Sequence, residues 1–161
     1  MESSHELAAH IRETVDGPMW HGPSLGDLLR DVSARDASAR PIPGAHSIWE
    51  IVLHVTVWAD VVGARVQREG LERVTPEQDW PAPPSPSAGA WGAARARLEQ
   101  GYLHLSDVAA RLDAGALRAI VPAGDHPLSA WATIQGAIEH GTYHGGQIAL
   151  LKRAIAAGLD R

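Results

Sequence analysis

The chain contains no cysteine and no phenylalanine among its 161 residues. Without cysteine there is no disulfide framework, and no thiolate of the chain can act as a nucleophile or as a metal ligand. Any metal ion must therefore be bound by histidine, carboxylate, carbonyl or water ligands. Without phenylalanine, the six tryptophans must provide most of the aromatic packing.

Long apolar runs and an excess of basic residues are also lacking. No run of 18 or more apolar residues occurs, so we expect no membrane-spanning helix. The first six residues are polar and acidic, unlike a secretory signal. The net charge of −5 argues against binding to the phosphate backbone of a nucleic acid. These features predict a cytoplasmic protein whose partners include neither a membrane nor a nucleic acid.

The residues that are present suit an ordinary globular protein. Hydrophobic residues make up 45% of the chain and charged residues 20%. A length of 161 residues is sufficient for a sizeable core, and we expect a single domain over residues 1–161.

Helical periodicity covers most of the chain. The strongest helix starts after Ser47, with Glu50 three residues later in the pattern of a capping box. Proline-rich segments predict a loop over residues 37–45 and an extended connection over residues 75–88. Residues 117–127 resemble a small hairpin or turn, and no convincing strand is found. The predicted helices run from Ser3 or Ser4 to about Val15, from Leu25 to Val32, from Ile48 to about Glu69, from Ser87 to Leu112 and from Ala130 to about Ala157.

The pattern predicts an all-α fold, a four-helix bundle with four helices longer than 15 residues. A short extra helical segment near the N-terminus and long connections complete it. Metal sites in such bundles are built from inward side chains of facing helices.

His140 and His144 are four residues apart in the last predicted helix. Residues i and i+4 lie on one face, so two imidazoles at this spacing can bind one divalent ion. The alternative is a hydrogen-bonded core histidine beside a surface one. A third ligand must come from elsewhere, and His54 is the best of the other seven histidines because it lies mid-helix among apolar residues. On spacing alone, His54 could equally be a satisfied core residue.

Resemblance to a family adds to this interpretation. The segments 44–54, with His54, and 138–148, with His140 and His144 followed by Gly-Gly-Gln-Ile, resemble two helices of the DinB/YfiT-like superfamily. The resemblance implies an up-down-down-up bundle, often homodimeric, with a divalent metal held by three histidines, here His54, His140 and His144. Some members of the family are transferases or isomerases that use a low-molecular-weight thiol.

Other polar residues near the histidines are candidates for catalysis. Glu50, one turn before His54, could orient a ligand or act as a base, or it could only complete the capping box. Gln147, one turn beyond His144, could bind substrate or a metal ligand, or only make the packing more polar. Trp58 and Tyr143 more often form pocket walls. Arg65 could meet an anionic substrate or form a surface salt bridge.

Three functions fit these features. The first is a metal-dependent enzyme, with zinc or nickel, that acts on an unidentified small molecule as a thiol-dependent S-transferase or isomerase, or as a hydrolase. The second is a non-catalytic, stress-related protein whose metal is structural. The third is a partner-binding bundle without metal. No strong catalytic base is evident, so the sequence leaves open whether the protein is an enzyme.

Overall fold

The computed structural model describes residues 3–69, 73–121 and 127–158. Eight helices and two very short strands occur in these ranges. The helices are α1 (Ser4–Asp16), α2 (Leu25–Leu29), α3 (Ala34–Ser38), α4 (Ile48–Gln67), α5 (Pro76–Asp79), α6 (Ala88–Ala110), α7 (Ala114–Arg118) and α8 (Ala130–Ala156), and the strands are β1 (Ile120–Val121) and β2 (Leu128–Ser129).

Each long helix starts at a serine that caps it. Ser3, Ser47, Ser87 and Ser129 accept a hydrogen bond from a backbone N–H in the first turn of α1, α4, α6 and α8 respectively. Such a cap satisfies one of the backbone donors that have no partner within the helix. The predicted all-α bundle is confirmed, because α1, α4, α6 and α8 pack around one core.

Contacts between the long helices give their directions. Trp49 and Asp60 of α4 meet Trp91 and Arg97 of α6, so these two helices run parallel. Ser106 of α6 donates a hydrogen bond to the carbonyl of Ala8 in α1, and Val15 and Leu98 line one pocket, so α1 is antiparallel to α6.

Helix α8 is also antiparallel to α4. His54 meets His140, and Arg65, three turns later in α4, lines the same cavity as Ala132 in the first turn of α8. The chain order is therefore up-down-down-up, as the resemblance implied.

Several details differ from the sequence-based expectations. Helix α1 has 13 residues rather than more than 15. Helix α3 occupies part of the predicted 37–45 loop, because Ser33 caps it, and α5 interrupts the connection over residues 75–88, because Thr75 and Gln78 form a capping box. No convincing strand was predicted, and the structure has two strands of two residues each, β1 and β2, which pair antiparallel. The predicted hairpin lies partly outside the described residues.

The core consists of aliphatic side chains with buried indole and phenol rings. Trp49 and Trp91 lie against each other, with ring centroids 5.2 Å apart, and both are almost completely buried. The indole N–H of Trp91 donates to the carbonyl of Val32 at 2.7 Å, which ties α6 to the connection between α2 and α3. Within the described ranges, no helix combines the length and apolar character required to cross a membrane.

Candidate metal centre

The three histidines singled out in the sequence meet between α4 and α8. The Nε2 atom of His140 lies 3.0 Å from Nε2 of His54 and 3.1 Å from Nε2 of His144. His54 and His144 are buried, and His140 is half-buried. The antiparallel packing of the two helices thus brings together residues that are 86 positions apart.

The ring of His54 is oriented by Asp79, the last residue of α5. Nδ1 of His54 lies 2.8 Å from the backbone carbonyl oxygen of Asp79 and 3.1 Å from its carboxylate. Both oxygens are acceptors, so Nδ1 carries the hydrogen. A neutral imidazole has only one N–H, which leaves a lone pair on Nε2 facing His140.

Gln147 orients the ring of His144 in the same way. Its side-chain oxygen accepts a hydrogen bond from Nδ1 of His144 at 2.7 Å. The lone pair on Nε2 of His144 therefore also faces His140. Histidines that bind metals commonly donate their second ring nitrogen to a carboxylate, carbonyl or water, which fixes the ring and its tautomer.

His140 has the least satisfied ring of the three. Its Nδ1 atom is buried and has no hydrogen-bond partner within the described parts of the chain. Burial, aided by the neighbouring rings of His144 and His54, lowers the pKa of His140 from 6.5 to about 4. The pKa of His144 is also lowered, chiefly by burial. Around neutral pH these two rings are uncharged, the form in which imidazole binds metals.

A divalent ion fits this arrangement. The Nε2 lone pairs of His54 and His144 both face Nε2 of His140. The ligand atoms of all three residues lie within 4.8 Å of one another. Two nitrogens each about 2.1 Å from one ion lie about 3.0 to 3.4 Å apart at bond angles of about 90° to 110°. The observed separations of 3.0 and 3.1 Å fall in this range. These three histidines could therefore hold a metal ion.

Trp80 covers the outer side of His54. The indole is stacked on the His54 ring, with centroids 3.8 Å apart and planes 3° apart. It is also stacked on His46, with centroids 3.6 Å apart. Stacking of this kind restricts the rings of His54 and His46 and limits the access of water to that side of His54.

A cavity of about 440 Å³ opens beside the histidines. It lies between the second half of α4 and the first half of α8, and His54, His140 and Asp79 line one end. The other lining residues are Trp58, Val62, Arg65, Leu128, Ala132, Thr133, Gly136 and Ala137. Its volume is within the range usual for small-molecule sites.

The remaining sequence candidates occupy different places. Glu50 completes a capping box with Ser47 and pairs with Arg40, and its carboxylate lies 3.7 Å from Nδ1 of His46. Gln147 touches His144. Tyr143 points outward and is 65% exposed. Arg65 lies over the Trp58 ring, and burial lowers the pKa of its guanidinium from the ordinary value.

Sequence reasoning missed Asp79, Trp80 and the contribution of His46. Asp79 also accepts a hydrogen bond from the indole N–H of Trp58 at 2.6 Å, so it links the connection to α4. The available signal was the capping pattern of Thr75 and Gln78, which marks a helix within the proline-rich connection. A helix there would have placed Asp79 and Trp80 on a defined structure rather than in an extended linker.

Comparison with known proteins identifies the family. No curated protein and no solved structure matches the chain. The family model for the DinB superfamily matches residues 23–148, which include α4, α6 and all three histidines. On the strength of that match over most of its length, the chain belongs to the DinB superfamily.

Proposed function

We propose that the protein binds one divalent metal ion through His54, His140 and His144 and acts on a small molecule held in the adjacent cavity. The observation that carries the proposal is the convergence of three Nε2 atoms, two of which have their lone pairs directed inward by Asp79 and Gln147. Imidazole ligands suit zinc and nickel, and we propose one of these as the resident ion.

The three protein ligands favour catalysis over a purely structural role. Structural zinc sites are closed by four protein ligands, whereas catalytic sites keep a position open. Within the described residues, the cluster that could hold an ion consists of three histidines, and a cavity large enough for a small molecule lies beside them. A bound ion would supply Lewis-acid chemistry there, lowering the pKa of a thiol or polarising a substrate group.

Residues of the chain would position the reactants. Asp79 and Gln147 hold the rings of His54 and His144, and Trp80 keeps water from one side of His54. The chain has no cysteine. We therefore propose that any thiol nucleophile is a low-molecular-weight thiol from solution, used in S-transfer or isomerisation; hydrolysis of a small molecule is the second reaction class.

Metal analysis of histidine variants tests the proposal. Purified protein is loaded with zinc or nickel and desalted, and its metal content is measured beside that of His54→Ala, His140→Ala and His144→Ala. The exposed histidine of α6 gives a matched control, His104→Ala. We expect about one ion per chain in the wild type and the control, and loss of the ion in each of the other three variants. Wild-type protein without metal would overturn the proposal.

A chelator separates catalysis from a structural metal. The metal-loaded protein is screened for turnover with thiols and small electrophiles, and for hydrolysis, with and without chelator. We expect activity that disappears with the ion and returns on reloading. A sharp fall in melting temperature on chelation, with no activity under any condition, would instead support a structural, non-catalytic metal.

A further inference from the structure

The cavity beside the histidines has an apolar middle. One wall is the first half of α8, where Ala132, Gly136 and Ala137 present little side chain, and the opposite wall is Trp58 and Val62 of α4. A Cβ atom built on Gly136 would meet nothing within 4 Å, so the cavity extends to the backbone of α8 at this residue. The middle of the cavity therefore suits a flat or slender apolar group.

Side chains of opposite charge, Asp79 and Arg65, lie towards the two ends of the cavity. Asp79 lies at the histidine end, where its carboxylate accepts a hydrogen bond from Trp58 and faces His54. Arg65 lies towards the other end, with its guanidinium carbon 5.5 Å from the centre of the Trp58 ring. A guanidinium remains protonated in proteins, so Arg65 brings a positive charge to this end.

Distances to the Trp58 ring limit how far Arg65 can lie from the His140 ring. Its ring centre is 6.1 Å from that of His140 and 5.5 Å from the guanidinium carbon of Arg65. Arg65 therefore lies no more than about 12 Å from the His140 ring. A molecule that is one aromatic ring and a short chain long would reach from one to the other.

We propose that this cavity binds an organic acid with an apolar, preferably aromatic, body, and that Arg65 holds its carboxylate. The body lies between the Trp58 indole and the wall of Ala132, Gly136 and Ala137. In the metal-free protein the carboxylate is attracted by Arg65 and repelled by Asp79, so the other end of the molecule points to the histidines. What that end of the molecule meets at the histidines, though not the binding itself, rests on the proposed metal function.

The guanidinium group is suited to this task without giving up other contacts. It has five N–H donors in a planar fork, of which a carboxylate uses two. Arg65 can therefore bind a ligand carboxylate while it keeps hydrogen bonds to the protein. Its position beside the Trp58 ring brings it next to the apolar body of the ligand, where charge-assisted hydrogen bonds are stronger than in water.

Binding of a matched acid and amide tests the proposal. We would titrate 3-phenylpropanoate and 3-phenylpropanamide into the full chain by calorimetry, both with the metal loaded and after chelation. The two probes have the same shape and differ in charge. We expect the acid to bind more tightly in both forms of the protein. If neither probe binds, or if the amide binds as well as the acid, the proposal is overturned.

Variants test whether Arg65 causes the preference for the acid over the amide. In Arg65→Gln the affinity for the acid should fall by about tenfold, with that for the amide unchanged, as expected for loss of a charge-assisted hydrogen bond. Arg97→Gln, which removes an arginine paired with Asp60 away from the cavity, should change neither affinity. Gly136→Leu should weaken both probes, because its side chain would fill the cavity. An unchanged acid preference in Arg65→Gln would overturn the role of Arg65.

The outcomes distinguish this proposal from the metal proposal. A chain that binds no metal but still prefers the acid through Arg65 would disprove the metal function and retain the cavity assignment. A chain that loads metal on the three histidines but shows no preference for the acid would support the metal function and disprove the cavity assignment. Metal content of Arg65→Gln, measured in parallel, should equal that of the wild type, because Arg65 is not a ligand.

Discussion

The imidazole of His54 donates its Nδ1 hydrogen to Asp79, a residue that lies outside the four long helices. The bond to the Asp79 carbonyl is 2.8 Å long, and the carboxylate of the same residue lies 3.1 Å away. A residue of the proline-rich connection thus determines which nitrogen of His54 is available to an ion.

Asp79→Ala should weaken metal binding by about 10- to 100-fold, the usual effect of removing a partner that orients a metal ligand. The backbone carbonyl bond to His54 can persist, so binding should be weakened and not abolished. Competition with a chromophoric chelator gives the affinity. Glu77→Ala, a carboxylate in the same helix that is exposed, is the matched control and should bind as the wild type does. Equal affinity of Asp79→Ala and wild type would contradict the assignment.

Gln147→Leu should also weaken metal binding, because the His144 ring loses the oxygen that accepts its Nδ1 hydrogen. Gln147→Glu keeps an acceptor oxygen and should retain binding. The cobalt-loaded protein adds an optical test, since ring reorientation alters the visible spectrum of the ion. If Gln147→Leu and Gln147→Glu behave alike in both measurements, the glutamine does not orient His144.

Glu50→Ala should lower stability by about 1 kcal/mol and leave the metal content unchanged. Its carboxylate accepts a hydrogen bond from the Ser47 backbone N–H at 2.8 Å and pairs with Arg40, so it stabilises the start of α4. Urea denaturation and metal analysis of the same sample check both parts. Loss of metal from a variant of normal stability would show instead that Glu50 belongs to the site.

Gly141→Ala should destabilise the fold by about 1–3 kcal/mol through overpacking. A Cβ atom here would lie 2.8 Å from Cγ2 of Thr14 and closer still to the hydroxyl of Tyr102. Gly146→Ala is the control: nothing lies within 4 Å of its Cβ position, so the helix should gain up to about 1 kcal/mol. Adding Tyr102→Phe to Gly141→Ala should recover part of the loss. Equal melting temperatures for the two alanine variants would refute the close contact.

The metal-free protein should lose stability as the pH falls from about 6.5 towards 4. The folded state holds the pKa of His140 at about 4, against 6.5 for an unperturbed histidine, so the unfolded chain takes up the proton first. After allowance for the partial exposure of this ring, we expect a loss of about 1–2 kcal/mol. Urea denaturation at several pH values measures it.

A variant separates the contribution of His140 to this loss of stability from that of the carboxylates. His140→Asn removes the titrating ring and should show a shallower decline over the same pH range. His104→Asn, an exposed residue of α6, should decline as the wild type does. If all three proteins follow one curve, the His140 ring is not the group responsible.

The sequence predicted the bundle well because its signals are local. Ser47 with Glu50, and the serines before the other long helices, mark helix starts that the structure reproduces. The triad was accessible for a similar reason, since His140 and His144 share a helix face and His54 lies on an apolar helix. Asp79 and Trp80 were not accessible, because the contact with His54 depends on how a proline-rich connection folds back, and no periodicity encodes that.

A single ion bound by these histidines would join the second long helix to the last one. One helical turn of sliding between α4 and α8, about 5.4 Å, would move His54 out of reach of the other two rings. Coordination would therefore depend on the register of α4 and α8, and an ion would be retained only while these two antiparallel helices keep their native alignment. Any ligand or variant that slides them would be reported first by release of the metal, before the helices themselves unfold.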